Sequence, residues 1–153
     1  MADETSHPLT LRPAAADELE WLVQLRITTM ADYLVASGEA LSEQEQRERV
    51  LHAFDDIRLI QRDTETIGMV KVTRSAQAWH LVQIQVVPAW QGRGVGRQVI
   101  AQILSEAHGN NVPVSLSVLK VNPARKLYER LGFTVVAQKE NSYAMRADPP
   151  RGG

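Results

Sequence analysis

The stretch Pro88-Ala89-Trp90-Gln91-Gly92-Arg93-Gly94-Val95-Gly96-Arg97 decides how the rest of the chain is read. An apolar run over residues 80–87 precedes it, and an amphipathic segment to about residue 108 follows. Three glycines between a strand and a helix start let the main chain approach a ligand closely. The first helical turn adds N–H groups that have no intrahelical acceptor, together with the positive end of the helix dipole. Arg93 and Arg97 add full charges nearby. Such a turn is an anion cradle, and it points to a ligand that carries a pyrophosphate.

Upstream of the turn, residues 79–87 read as a strand, apolar on one parity with Leu81 as the exception, and with Gln83 and Gln85 on the other. Residues 57–62 and 66–74 read as strands joined by a hairpin turn at Asp63-Thr64-Glu65. Ser42-Glu43-Gln44-Glu45 is a capping box that opens a helix to about Phe54. Over residues 17–34, Leu19, Leu22, Val23, Ile27 and Met30 keep helical spacing behind an acidic first turn, and Ser37-Gly38 then interrupts. Residues 9–12 read as a short first strand.

Downstream, Val95, Val99, Ile100, Ile103, Leu104 and Ala107 form a core-facing stripe that Gly109 ends. Residues 113–119 are a strand that returns by this helical crossover, and so runs parallel to its predecessor. Asn122-Pro123 supplies an N-cap and a first-turn proline for a helix to Leu131, with Gly132 as its stop. Residues 134–139 and 142–146 make a closing hairpin. The order β-α-α-β-β-β-α-β-α-β-β gives a mixed α/β (α+β) sheet with helices on both faces. One domain over residues 9–147 is expected between a flexible start, 1–8, and a disordered Pro/Gly-rich tail, 148–153.

The 153 residues suffice for one substantial core, and the formal net charge of −1 gives no bulk attraction to nucleic acid or to an anionic membrane. Cysteine is absent, which excludes disulfides, thiolate metal sites and a cysteinyl acyl-enzyme. His7, His52 and His108 are too scattered to suggest a metal site, so none is expected. No run approaches the roughly 18 apolar residues of a membrane span, and the polar start does not resemble a signal peptide. A cytoplasmic protein is the expectation.

Two better-known glycine loops fail on their own terms. A P-loop needs Gly-Lys-Ser/Thr at its end, and no such pair follows Gly96. A dinucleotide fingerprint counted from Gly92 meets Arg97 where its last glycine belongs, and no acidic residue stands near residue 116. Gln91-Gly92-Arg93-Gly94-Val95-Gly96 instead resembles the Gln/Arg-x-x-Gly-x-Gly/Ala signature of the GNAT superfamily of N-acetyltransferases. Asn122-Pro123-Ala124-Arg125-Lys126-Leu127-Tyr128-Glu129-Arg130-Leu131-Gly132-Phe133 resembles that family's second signature, and the element order agrees from Leu9 to Arg146.

The resemblance implies a six- to seven-stranded, mostly antiparallel sheet whose central parallel strands splay apart. It also implies acetyl-coenzyme A, or a close acyl relative, as donor and co-substrate. The backbone of Gln91, Gly92, Arg93, Gly94, Val95, Gly96 and Arg97 would hold its pyrophosphate. Ile84, Val86 and Val87, at the end of the central strand, would pair with the β-alanine and pantetheine amides. Asn122 would bond the arm at the mouth of the splay, and Tyr128 would lie near the sulfur. Family members often form homodimers, so the resemblance admits a homodimer here while the sequence leaves the oligomeric state open.

Acyl transfer to an amine requires a neutral amine, a polarised carbonyl and a protonated leaving thiolate. A lysine-like amine of pKa about 10.4 is neutral in roughly one molecule in 2,500 at pH 7, so some group must accept its proton. A strand N–H around Ile84 to Val86 can polarise the carbonyl. Tyr128 either protonates the sulfur or packs beneath the sheet with Leu127 and Leu131. Many members of the family that this chain resembles carry a glutamate on the central strand; residues 79–88 contain no carboxylate, Gln83 and Gln85 stand there instead, and a glutamine can only hold water. A water relay is therefore favoured over His80, Asp32, Asp55 or Asp56 as base.

Met30, Tyr33, Trp79 and Tyr143 are candidate walls of an acceptor pocket between the first two helices, their connection and the final hairpin, and Trp90 a prop for the glycine turn. The expected activity is direct acetyl transfer to a primary amine, of a small molecule in the first instance. The alternatives are a non-catalytic coenzyme A-binding module and a protein lysine or N-terminal acetyltransferase.

Overall fold

The computed structural model describes residues 9–38 and 42–150. The expected flexible start and the last three residues of the expected tail lie outside them, as does the connection 39–41. The strands are β1 (Leu9–Pro13), β2 (Ile57–Arg62), β3 (Glu65–Arg74), β4 (Trp79–Val86), β5 (Val114–Leu119), β6 (Thr134–Gln138) and β7 (Ser142–Ala147). The helices are α1 (Leu19–Ala36), α2 (Glu43–Leu51), α3 (Val95–Gly109) and α4 (Ala124–Arg130). One seven-stranded sheet runs β1-β2-β3-β4-β5-β7-β6, antiparallel throughout except for β4 with β5.

Each face of the sheet buries its own core. Val70, Val72, Trp79, Leu81, Val114 and Leu116 meet the α3 stripe of Val95, Val99, Ile100, Ile103, Leu104 and Ala107. Ile57, Leu59 and Met69 meet Leu22, Val23, Leu25 and Val50 of α1 and α2 on the other face. Burying each such side chain removes it from water at a gain of roughly 1.5–3 kcal/mol.

Two features of β4 shape the site. Lys71 pairs with Gln83, but its neighbour Val72 pairs with Leu81, so Val82 is an extra residue, a β-bulge. Trp79 and Leu81 therefore face α3 together with Ile84 and Val86, whereas Gln83 and Gln85 lie opposite Lys71 and Met69 on the α1–α2 side. The bulge explains why Leu81 breaks the alternation read from sequence. The second feature is the parallel pairing, which spans only Trp79–Leu81 against Val114–Leu116 and stops at the bulge. Beyond it β5 continues along β7 to Leu119, and the two central strands part.

Helix ends differ from the sequence expectation where local chemistry offers another stop. α3 passes through Gly109, and Asn111, at φ 57°, makes the left-handed turn instead. α2 ends at Leu51 because Ala53 takes φ 53° before a 3-10 turn at Phe54–Asp56. At the front of α1, the Glu18 carboxylate accepts from the Ala15 N–H at 2.8 Å and from both terminal nitrogens of Arg12. That forked contact holds the Glu18 carboxyl down to about 2.

Candidate active site

Where β4 and β5 part, a cavity of about 240 Å³ opens between Val82, Gln83, Ile84 and Gln85 on one side and Ser117, Val118 and Leu119 on the other. Asn122, Met30, Leu34, Arg26 and Arg49 complete its lining. The Val87 N–H donates to the Ile67 carbonyl at 2.9 Å, across to β3. Main-chain groups alternate along a strand, so the N–H groups of Ile84 and Val86 turn the other way, into the gap that β5 has left. Val87 itself is thus committed to the sheet.

The glycine turn stands at the end of β4. Pro88–Trp90 forms one 3-10 turn, Gly92 and Gly94 adopt φ 76° and 81°, and Gly94 is the N-cap of α3. The helix begins four residues later than Gln91 because these left-handed glycines must first turn the chain. Among the described residues, no protein acceptor receives the backbone N–H groups of Gly94, Val95, Gly96 or Arg97. Gly96 has ordinary helical φ, and a Cβ built on it would meet nothing within 4 Å. These orphan donors and the open space over Gly96 fit a bound pyrophosphate.

Gln91 braces the turn, its Nε2 donating to the Val86 carbonyl at 3.0 Å. The guanidinium groups of Arg62 and Arg93 lie 5.1 and 4.9 Å from the Trp90 ring centroid, and the Trp90 Nε1 donates to Glu65. Trp90 therefore holds the turn against the β2–β3 hairpin, as expected of a prop, while Arg97 is exposed in the first turn of α3.

Asn122 accepts the Ala124 N–H on its Oδ1 at 2.9 Å, which caps α4 and leaves its Nδ2 as a donor at the cavity. Tyr128 is buried in the α3-side core, edge-on to Phe133 at 5.9 Å. Burial raises its phenol, which keeps it protonated at neutral pH. No hydrogen bond joins its hydroxyl to a described protein group, and the ring does not line the cavity between the strands. Both roles read from sequence, sulfur contact and core packing, are open to it on this geometry.

The α1–α2 side of the cavity holds a buried polar layer. Arg26, Gln46, Lys71, Gln83 and Gln85 are all buried. The Gln83 Nε2 donates to Gln85 Oε1 at 2.6 Å, and the Arg26 Nε to Gln46 Oε1 at 2.7 Å. The Lys71 Nζ donates to the carbonyls of Arg49, Val50 and His52 at 3.0, 3.1 and 2.5 Å, and so caps the C-terminus of α2 from a neighbouring strand. Burial, with the nearby Arg26 charge, lowers Lys71 to about 8. Burial also lowers Arg26 to about 10, with the Arg49 charge adding to it.

Sequence reasoning missed Arg26 and Lys71. The signal was a cation on a core parity: Arg26 one helical turn after Leu22, and Lys71 on the Met69 face of β3.

Among the expected pocket walls, Met30 lines the cavity and Tyr33 does not. Trp79 belongs to the α3-side core, with Arg74 stacked on it at 4.7 Å. Tyr143 carries Arg125 over its ring at 4.4 Å and Lys120 at 5.4 Å. The final hairpin does reach the first helix, since Asn141 Nδ2 donates to the Ser37 carbonyl at 3.0 Å. His80 sits at the paired end of β4, bonded to Ser115 at 2.7 Å and lowered by burial, away from the cavity. Asp32, Asp55 and Asp56 also lie outside the lining.

A split parallel strand pair beside an amide-lined helix start is the arrangement of an acetyltransferase fold. The family model described as an acetyltransferase (GNAT) domain matches residues 27–145, and the chain belongs to this GNAT family. The structure is similar to a crystal structure of PaiA N-acetyltransferase from Thermoplasma acidophilum in complex with coenzyme A (TM-score 0.68, 16% identity, 92% of this chain and 99% of that one). It is also similar to the ribosomal-protein-S18-alanine N-acetyltransferase of Escherichia coli (TM-score 0.70, 17% identity, 95% and 97% covered). An acetyltransferase from Thermus thermophilus gives a TM-score of 0.72 at 19% identity, with 93% and 99% covered. Among the described residues, no helix is long and apolar enough to cross a membrane.

Proposed function

We propose that this chain is an N-acetyltransferase that moves the acetyl group of acetyl-coenzyme A directly to the primary amine of a small molecule, with both substrates bound together. The observation that carries this reading is the set of orphan N–H groups from Gly94 to Arg97, set at the end of a strand whose Ile84 and Val86 amides face an open gap. Residues 91–97 would hold the pyrophosphate, the Ile84 and Val86 amides the pantetheine arm, and Asn122 Nδ2 its far side. Bound acetyl-coenzyme A supplies the thioester.

As the amine nitrogen bonds to the acetyl carbon, a strand amide at Ile84 or Val86 stabilises the developing oxyanion. The amine proton leaves through water held by the Gln83 and Gln85 side chains, because neither amide can accept it outright. The C–S bond then breaks as the departing sulfur takes the proton of the Tyr128 phenol; the amine proton passes through the relay to bulk water, and water returns one to the phenolate. N-acetylated amine and free thiol leave.

Gly96→Val tests the cradle without straining the turn, since its φ is helical and a side chain meets only open space. Calorimetry should show coenzyme A affinity falling at least about tenfold, a change of about 1.4 kcal/mol, with the melting temperature retained. Unchanged affinity refutes the pyrophosphate site.

A further inference from the structure

We propose that the amine acceptor carries an anionic group, a carboxylate or a phosphate ester, held by Arg26 and Arg49 on the α1–α2 side of the β4 bulge. This rests on the transfer reading above and names the substrate class that it leaves open. Arg26, Arg49, Val82 and Gln83 border the gap between the strands and also a second, wider cleft of about 490 Å³. An anion seated on the two guanidinium groups therefore lies in space continuous with the place where the thioester must sit.

The pairing of charges points the same way. Arg12 is matched to Glu18, and Arg47 to Glu20 and Glu43. Arg26 and Arg49 have no such partner: among the described residues neither makes an ion pair, and Arg26 is 8% exposed. The charge Arg26 senses is that of Arg49, a like one. Its only side-chain hydrogen bond among the described residues is from Nε to Gln46, so the paired terminal nitrogens of its planar fork have no acceptor there. Arg26 lines both cavities, and its planar fork of donors matches a carboxylate or a phosphate.

Glu45 and Glu48 also border the wider cleft, but both are exposed on α2, and Glu48 accepts from Gln44. Lys71 adds a third positive charge beneath the layer. A second cationic group on the acceptor, as in a diamine or a lysine-rich peptide, would meet three like charges there.

Matched amines with and without the anion provide the test: alanine against ethylamine, phenylalanine against phenethylamine, and O-phosphoethanolamine against ethanolamine, each followed by thiol release from acetyl-coenzyme A. Within at least one pair the anionic member should show a kcat/KM at least about tenfold higher, and the pair that discriminates separates carboxylate from phosphate. Arg49→Gln, an exposed position that leaves the core untouched, should shrink that ratio at least about fivefold, mainly through KM. Arg26→Lys, which keeps the charge and loses the fork, should shrink it as well.

Ratios near one in all three pairs overturn the proposal. Calorimetry on protein loaded with coenzyme A separates it from the transfer reading. Binding of an anionic amine that Arg49→Gln weakens, without turnover of any amine, supports the anion site and sinks the transferase. Turnover of the uncharged partners with no binding of the anionic ones does the reverse.

Discussion

Tyr128 shows how far one side chain can be read at each stage. Its spacing after Asn122-Pro123 places it on a helix face with Leu127 and Leu131, and the structure buries it there. Sequence does not decide between packing and acid catalysis, because both ask for the same position on the helix. Among the described residues no protein group bonds its hydroxyl, and burial keeps the phenol protonated, so a proton is there to give. Tyr128→Phe should therefore lower kcat about tenfold or more while leaving the affinity for acetyl-coenzyme A within about twofold. Wild-type kcat across the pH range, measured by thiol release, would remove the phenol from the mechanism. Arg26 is the opposite case. An arginine inside an amphipathic pattern is read as part of the wet face, and only the packing of α2 over it turns that face inward.

At the scale of elements, the strands and helices were legible wherever turn chemistry and periodicity agreed. Ser42 does cap α2, its side chain accepting from Glu45 N–H at 3.0 Å, and Gly132 at φ 104° does end α4. What escaped was contact between elements distant in sequence. Lys71 on β3 closes the end of α2, a bond between chain segments about 20 residues apart that no local pattern encodes.

That contact has a pH signature. Lys71 titrates near 10.5 when unfolded and near 8 when folded, so between those values the unfolded chain binds more protons. Stability should rise with pH across that window, by up to about 3 kcal/mol. Below pH 8 both states are protonated and this residue adds no slope. Lys71→Met should flatten the rise, as measured by urea unfolding at steps from pH 8 to 10.5. An unaltered slope would assign it to other groups.

For the molecule as a whole, the glycine turn and the order of elements were enough to specify a mixed sheet with a crossover helix, and the sheet found has that order. The depth of the cleft was not legible, because it depends on how closely the central strands approach. Gly68 sets how closely β3 can approach β4, the strand that borders the cleft. A Cβ there would lie 2.5 Å from the Gln85 carbonyl oxygen and 3.2 Å from the Val86 Cα. Gly68→Ala should push β4 off its neighbour at the level of the site. Chemical denaturation should show a loss of about 1–3 kcal/mol, the usual range for overpacking, accompanied by weaker coenzyme A binding. A variant as stable as the parent would show that the strands can separate without penalty.

Val82 gives the sheet a property that no alternation of apolar and polar residues could supply. A chain shortened by that residue alone would leave Gln83 and Gln85 on their present side, since it would restore a regular ladder against β3. It would also remove the local bend and extra twist that a bulge gives its strand, at the level where β4 and β5 begin to part. The surplus residue thus stands at the fork of the seam: on one side of it β4 is laced to β5, and on the other the cavity opens.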